Sequence, residues 1–152
     1  MAIPVGATEV AIDALILRLD SAVRQAVEDS AVAVQRKAAA IAPRGTPGNS
    51  TDPPGRLAQS IIVTGPLGGG GVYAAQVGPT TVYGRQRELG GAIFPQVAAA
   101  LVFTKFGTTY RVGAVDQKKP EPYLRPAALE TMLVMHNIFR DNVAMAIVSP
   151  AG

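Results

Sequence analysis

The chain has 152 residues, of which 48% are hydrophobic and only 16% are charged, and its net charge is +3. This length predicts a single domain over residues 1–152, with one core and excess apolar surface that contacts other subunits. Cysteine is absent, which excludes disulfides, thiolate metal sites and a cysteine nucleophile. The sequence has no apolar run of membrane-spanning length, and Met1–Gly6 lacks the pattern of a secretory signal, so we expect no membrane association and assembly in a cytosol.

The titratable residues do not form a recognisable catalytic or metal site. The single histidine, His136, lies in a predicted helix and is interpreted as an ordinary helix-face residue. The eleven carboxylates include no pair at the spacing that metal sites use. We therefore expect no catalytic residue, no metal and no cofactor, and we expect that the protein is not an enzyme.

The fourteen basic residues are scattered, with no basic run longer than two. Such a distribution is typical of a solvated surface, and the sequence contains no recognisable DNA-binding or RNA-binding motif. A nucleic-acid-binding factor is therefore the less favoured class.

Apolar residues recur every three to four positions from Thr8 to Ala42, which predicts one amphipathic helix with Thr8 as its N-cap and Pro43 as its stop. The stripe is interrupted only by Ser30; it comprises Ile12, Ile16, Leu19, Val23, Ala26, Ser30, Val34, Ala38 and Ile41. A helix of this length exceeds what a compact domain needs. It either breaks near Asp29 and Ser30, or projects against a neighbouring subunit, or forms a core stripe that also touches a neighbour.

Residues 43–56 are rich in proline, glycine and small polar residues, which predicts a flexible loop. This loop either orders on docking to a partner or remains a plain surface loop.

Four segments have strand character. Ser60–Thr64 and Val72–Val77 flank a glycine-rich stretch that is read as a flexible turn, and Ala99–Thr104 with Thr108–Val112 predict a hairpin. The glycines at 68–71 lack the Gly-Lys-[Ser/Thr] sequence of a nucleotide-binding loop.

A last helix is predicted over Ala127–Ile147, introduced by three prolines and apolar on one side at Leu129, Leu133, Ile138, Val143, Ala144 and Ile147. The fold class is therefore α+β: a mainly antiparallel sheet of about four strands, with the long N-terminal helix and the C-terminal helix packed on one face.

Two polar and aromatic clusters are candidate sites. Tyr83 and Glu88 have the chemistry of an acid and a base, but no nucleophile or second carboxylate accompanies them, so the alternative is that Glu88 pairs with an arginine and orders the turn before Gly90. Tyr123 and Leu124 either serve in an interface or close the domain core. The candidate subunit or partner interface comprises Tyr83, Arg87, Glu88, Phe94, Phe103, Tyr123, Leu124 and Arg125.

Four short motifs occur in one order along the chain. They are Gly55, Leu57, Ser60 and Ile61; Tyr83 to Gly91, which contains Glu88 and the Gly90-Gly91 pair; Leu101 to Phe103; and Pro120 to Ala127. This order resembles that of the tail-component family of long-tailed double-stranded-DNA bacteriophages, and the resemblance covers roughly residues 8–147. The loop at 43–56 is longer than the corresponding stretch of that family.

The resemblance implies a structural virion protein of the head-tail junction, assembled in the host cytoplasm. It implies a tail terminator or tail-completion protein that forms a homo-oligomeric ring, a hexamer, between the tail tube protein and the head-connector protein. DNA would pass through the lumen of this ring without being read. The alternative position is that of a stopper or adaptor bound nearer the portal.

Overall fold

The computed structural model describes residues 5–45, 53–95, 98–105, 107–117 and 119–148. The chain is α+β, with a long N-terminal helix, a C-terminal helix and short strands between them. Its contacts divide it into two compact units. Unit 1 comprises Met1–Ala33, Val63–Gln76 and Thr131–Gly152, and unit 2 comprises Val34–Ile62 and Val77–Glu130.

Helix α1 spans Val5–Ile41 without a break, a length of about 55 Å. The expected N-cap is wrong, because the helix already includes Thr8. The interruption at Ser30 is accommodated inside the helix. Its hydroxyl is buried and donates a 2.7 Å hydrogen bond to the carbonyl of Ala26, so this polar side chain needs no partner from another element.

The predicted apolar stripe of α1 is only partly a core stripe. Its middle is buried at Ala26, Ser30 and Ala38, but Ile12 and Ile16 are exposed, as is Ile41 at the end of the helix. The fully buried positions of α1 therefore carry small side chains, while large aliphatic side chains near its N-terminus face outwards.

The short helix α2 (Arg56–Gln59) precedes the hairpin of β1 (Ile61–Gly69) and β2 (Val72–Pro79). The hairpin was predicted, but the glycine-rich stretch is mostly strand, and the turn consists of Gly70 and Gly71 alone. Both turn residues have positive φ, 61° and 79°, which a tight type I′ turn requires. The peptide bond between Gly65 and Pro66 is cis.

The expected four-stranded sheet is wrong: the described residues form three separate two-stranded sheets. β1 pairs with β2; β3 (Gly91–Ile93) pairs antiparallel with β6 (Val115–Gln117); and β4 (Leu101–Lys105) pairs antiparallel with β5 (Thr108–Val112). The second predicted hairpin, β4–β5, is confirmed. The strands β3 and β6 were not predicted, because three residues are too few to show an alternating pattern.

Helix α4 spans Leu124–Val148 and begins three residues earlier than predicted. The apolar side predicted for α4 is mostly not its buried side, since Leu129, Leu133 and Ile147 are exposed. The buried positions of α4 are instead Ala127, Thr131 and Asn142. Among the described residues, no helix is both long and apolar enough to cross a membrane.

Unit 2 has one apolar core to which α1, α2, β1 and α4 contribute. Its buried members are Ala38, Ala42, Leu57, Ile61, Tyr123 and Ala127. Val34, Val77, Tyr83 and Leu124 pack against it. At the edge of this core, Lys37 of α1 lies 3.4 Å from Glu130 of α4.

The loop predicted at 43–56 is described at its two ends only, and residues 46–52 lie outside the described residues. The amide of Gly55 donates a 2.8 Å hydrogen bond to the carbonyl of Arg44, which brings the two ends of the loop together. The role predicted for this loop stays a prediction.

Candidate functional site

Helix α3 (Gly84–Leu89) carries the first candidate cluster and is a single short helix. It begins at a glycine because the space there is filled: a Cβ on Gly84 would lie 2.7 Å from the Cβ of Pro79, closer still to its Cγ, and 3.1 Å from the hydroxyl oxygen of Tyr123. The absence of a side chain at Gly84 therefore lets α3 approach the end of β2 and the start of α4.

Glu88 of α3 caps the N-terminus of α4. Its Oε2 accepts hydrogen bonds from the amides of Tyr123 at 2.7 Å and Leu124 at 2.9 Å, and its Oε1 accepts one from Arg125 at 2.9 Å. The first amides of a helix have no partner within the helix and carry a partial positive charge, so a carboxylate at this point is stabilising. The capping carboxylate comes from a separate element 35–37 residues earlier in the chain.

Arg87 makes a second connection between α3 and the segment before α4. Its Nη1 lies 2.6 Å from Oε2 of Glu121, and the Glu121 amide donates to the Arg87 carbonyl at 2.7 Å. The expected pairing of Glu88 with an arginine is thus replaced by two contacts: Glu88 binds backbone amides, and Arg87 binds Glu121. Both side chains of the Arg87–Glu121 pair are more than a third exposed, so this ion pair contributes at most about 1 kcal/mol.

Tyr123 lies beneath these contacts and has no exposed surface. Its hydroxyl donates a 3.2 Å hydrogen bond to the carbonyl of Gly84. Burial raises the pKa of Tyr123 to about 12, and the negative charge of Glu88 contributes further. The side chain is therefore held as a neutral phenol under all ordinary conditions.

A pocket of about 310 Å³ opens beside α3 in unit 2. It is lined by Pro79, Thr81, Gly84, Arg85, Glu88, Leu89 and Leu124. The lining is mainly apolar, with the exposed Arg85 as its basic group. The Glu88 carboxylate is bound to three amides, so the apolar part of the lining and the exposed Arg85 are what the pocket offers to a partner side chain.

The structure brings six of the eight candidate residues together at the α3–α4 junction: Tyr83, Arg87, Glu88, Tyr123, Leu124 and Arg125. The other two lie elsewhere. Phe94 follows β3 and is 66% exposed, while Phe103 of β4 stacks on Tyr110 of β5 with ring centroids 5.6 Å apart. Tyr123 offers no surface to a partner, and Tyr123 and Leu124 close the core as the second interpretation of this segment expected.

The two groups considered as acid and base, Tyr83 and Glu88, lie in structural surroundings. The carboxylate of Glu88 is bound to three amides, and Tyr83 packs against the core of unit 2. No cluster of three or more histidine, cysteine or acidic side chains that could hold a metal ion occurs in the part of the chain that the structure describes. The contacts at the junction thus hold α3 against the start of α4, and an apolar pocket lies beside them.

Two features were missed from the sequence. Of the pocket residues, Pro79 lies outside the motifs, and Arg85 and Leu89 occupy positions of the Tyr83–Gly91 motif that it does not specify. Only the glycine at position 84 signals a close approach. Asp20 of α1 was also missed. It accepts hydrogen bonds from the amide of Gly71 at 2.6 Å and from the hydroxyl of Tyr73 at 2.5 Å, so it holds the tip of the β1–β2 hairpin against α1.

No family model, curated protein or solved structure matches this chain.

Proposed function

We propose that this chain is a structural protein of the head-tail junction of a long-tailed phage virion, a tail terminator or tail-completion protein that works as a ring. The ring binds the end of the tail tube through one face, stops tube polymerisation and offers its other face to the head connector. DNA passes through the lumen without sequence readout. The protein assembles in the host cytoplasm and then resides in the virion.

One observation carries this proposal: the four motifs that resemble the phage family, spread from Gly55 to Ala127, all fall within unit 2. Three of them supply one core, through Leu57 and Ile61, through Tyr83, and through Tyr123, Leu124 and Ala127. The motif residues thus share one core, as the architecture implied by the resemblance requires.

The exposed apolar surface also supports a protein that functions through interfaces. Val82, Leu89 and Phe94, all within thirteen residues of one another in sequence, are 66–85% exposed. Monomeric proteins rarely expose many large apolar side chains together, and such surfaces mark contacts with other proteins. A ring that binds a tube, a connector and its own copies needs several such contacts.

The test is to mix the purified chain with the tail-tube subunit and with the connector proteins encoded in the same genome. We expect the chain to sit at one end of each tube in negative-stain electron micrographs and to shorten the tubes that form. Phe94→Ala should weaken this capping, whereas His136→Ala, an exposed substitution on α4, should leave it unchanged. Failure to bind both the tube and the connector proteins would refute the proposal.

The same experiment separates the neighbouring position. A stopper or adaptor binds the connector or portal assembly but does not cap free tubes, so its place in a purified neck complex distinguishes it from a terminator.

A further inference from the structure

Unit 1 buries only small side chains completely, leaves larger ones such as Leu19, Val27 and Phe139 half-buried, and exposes many others. Among the described residues of this unit, the buried apolar positions are Ala22, Ala26 and Ala31. The exposed side chains that form the apolar helix surface of α1 and α4 include Val10, Ile16, Leu17, Leu133, Met145 and Val148, which are 57–78% exposed.

These side chains surround their helices. Val10 and Leu17 of α1 are seven residues apart and lie on one side, whereas Leu15 lies on the opposite side. The charged residues Glu9 and Asp13 lie among them and are exposed as well. Large apolar surfaces exposed in this way mark contacts with other proteins. This distribution indicates that a partner covers the apolar helix surface in the assembled state.

The size of the surface matches a protein interface. A fully buried aliphatic side chain contributes about 1.5–3 kcal/mol at about 25 cal/mol per Å², which corresponds to about 60–120 Å² of apolar area. In the described part of unit 1, eleven large apolar side chains of α1 and α4 are exposed by 36–78%. Summed over all sides of both helices they present about 600 Å², of the same order as the roughly 800 Å² that each partner contributes to a standard interface.

Charge identifies the partner. The sequence of unit 1 holds six acidic and three basic residues, a net charge of −3, and that of unit 2 holds five acidic and eleven basic residues, a net charge of +6. Contact between two copies of unit 1 would bring like charges together. Contact between unit 1 of one copy and unit 2 of another brings opposite charges together and is favoured.

Unit 2 offers a receiving site for such a contact. The pocket beside α3 is lined by the apolar side chains of Pro79, Leu89 and Leu124 and by two charged side chains, Arg85 and Glu88. The Glu88 carboxylate is bound to three amides at the start of α4, whereas Arg85 is exposed. On the apolar helix surface, the exposed acidic residue Glu9 is adjacent to Val10, and the exposed Asp13 lies within one turn of Ile16. An aliphatic anchor with a carboxylate next to it fits an apolar pocket with an arginine in its wall.

We propose that copies of this chain associate head to tail: the acidic, apolar helix surface of unit 1 docks on the basic pocket of unit 2 of the next copy. Such a heterologous contact uses two different surfaces, so it propagates from copy to copy and closes into a ring where the rotation permits. The inference deepens the proposed function and rests on it for the requirement that a ring form.

Two variants test the two surfaces separately. The double variant Ile16→Lys/Leu17→Lys replaces two apolar side chains of the acidic helix surface with positive charges. The double variant Arg85→Glu/Leu89→Glu replaces a basic and an apolar side chain of the pocket with negative charges. All four positions are exposed, so both variants should fold, which circular dichroism checks. The matched controls are Val102→Lys and Arg111→Glu on the exposed β4–β5 hairpin.

Sedimentation velocity then follows association. We expect the wild type to form oligomers that weaken with added salt, each surface variant to associate at least about tenfold more weakly, and the controls to behave as wild type. The decisive sample is an equimolar mixture of the two variants. Each still has one intact surface, so the mixture should form a heterodimer of twice the 15.7 kDa chain mass and nothing larger.

Three outcomes would overturn the inference. The first is that the pocket variant associates as wild type while the helix variant does not, which would indicate contact between two copies of unit 1. The second is that the mixture of the two variants remains monomeric. The third is that the wild type remains monomeric at every concentration; if it then binds duplex DNA with a steep salt dependence, unit 2 binds nucleic acid instead. A wild type that caps tail tubes despite any of these results retains the proposed function and loses only this contact.

Discussion

The start of α4 depends on Glu88, because its carboxylate accepts hydrogen bonds from the amides of Tyr123, Leu124 and Arg125. Glu88→Ala leaves these amides without a charged acceptor and should lower the free energy of unfolding by about 2–3 kcal/mol. Glu88→Gln keeps one acceptor oxygen and should cost about 1 kcal/mol. Urea denaturation followed by circular dichroism measures both.

The control for Glu88 is Glu130→Gln, which removes a carboxylate from α4 itself. Glu130 is 58% exposed and pairs only across 3.4 Å with Lys37, so its loss should cost less than about 1 kcal/mol. If Glu88→Ala and Glu130→Gln lowered the free energy of unfolding equally, the Glu88 cap would contribute no more than a surface ion pair.

Tyr123 makes a pH-dependent contribution to stability. Its pKa of about 12 in the folded chain exceeds the ordinary 10.0, so the folded state retains the proton more strongly than the unfolded state. The resulting stability is fully present below about pH 10 and is lost as the pH rises through about 12, at up to about 1.4 kcal/mol per pH unit. Tyr123→Phe lacks this group, so its unfolding free energy should fall less steeply than that of the wild type over this range.

The comparison for Tyr123 is Tyr110→Phe, which removes a hydroxyl from a ring that is 43% exposed. Chemical denaturation at several alkaline pH values gives the slopes. If Tyr123→Phe and the wild type lost stability in parallel from pH 10 to 12, burial of the phenol would have no influence on the pH dependence.

At the level of single residues, the sequence identified most of the residues at the α3–α4 junction but not the contacts between them. The motifs marked Tyr83, Arg87, Glu88 and the segment around Tyr123 as special. Glu88 was expected to act locally, because a single sequence reveals neighbours within a turn but not a hydrogen bond to amides 35–37 residues away. The pocket beside α3 depends on three separate elements and has no local pattern.

Among the elements, the β1–β2 hairpin is held to α1 by one side chain. Asp20 accepts hydrogen bonds from Gly71 at the turn and from Tyr73 at the start of β2. Asp20→Asn weakens both bonds, so amide hydrogen exchange in the hairpin from Val63 to Gln76 should become faster, as mass spectrometry of peptides would detect. Glu28→Gln, an exposed change on the same helix, should leave the exchange of the hairpin unchanged.

The same contact has a defined pH dependence. The hydrogen bond from Tyr73, followed by that from Gly71, lowers the pKa of Asp20 below its ordinary value of 3.8. A lowered pKa stabilises the folded state above about pH 3.8, and this contribution is lost as the pH falls through the folded value. The faster exchange caused by Asp20→Asn should therefore be evident near neutral pH, and an identical exchange rate in variant and wild type there would exclude a role for this contact.

The elements themselves were predictable in proportion to their length. The two long helices and both hairpins followed from periodicity, which is strong over many residues. The separation of the strands into three sheets did not, because strand pairing depends on contacts between distant segments. Apolar periodicity also failed to indicate the direction of burial: Ile12 and Ile16 belong to a regular stripe, yet they face outwards.

For the whole molecule, the contrast between the two units leads to a final prediction. Unit 2 encloses Leu57, Ile61 and Tyr123, whereas the buried apolar positions described in unit 1 are alanines. Alanine burial removes little apolar area, so unit 1 gains less stability from its own core than unit 2 does. On the proposed contact between copies, the next copy would cover the exposed aliphatic side chains of unit 1 and add to this burial.

Protection of unit 1 should therefore increase with protein concentration. Binding that favours the folded state stabilises it by mass action, so amide exchange of the α1 and α4 segments in unit 1 should slow between about 1 µM and about 100 µM protein, together with a rise in Tm. The core of unit 2 around Tyr123 serves as the internal reference, because its burial is complete within one chain. Exchange in unit 1 that is slow and identical at both concentrations would show that its small core is sufficient, and that the exposed aliphatic side chains contribute nothing to the stability of the fold.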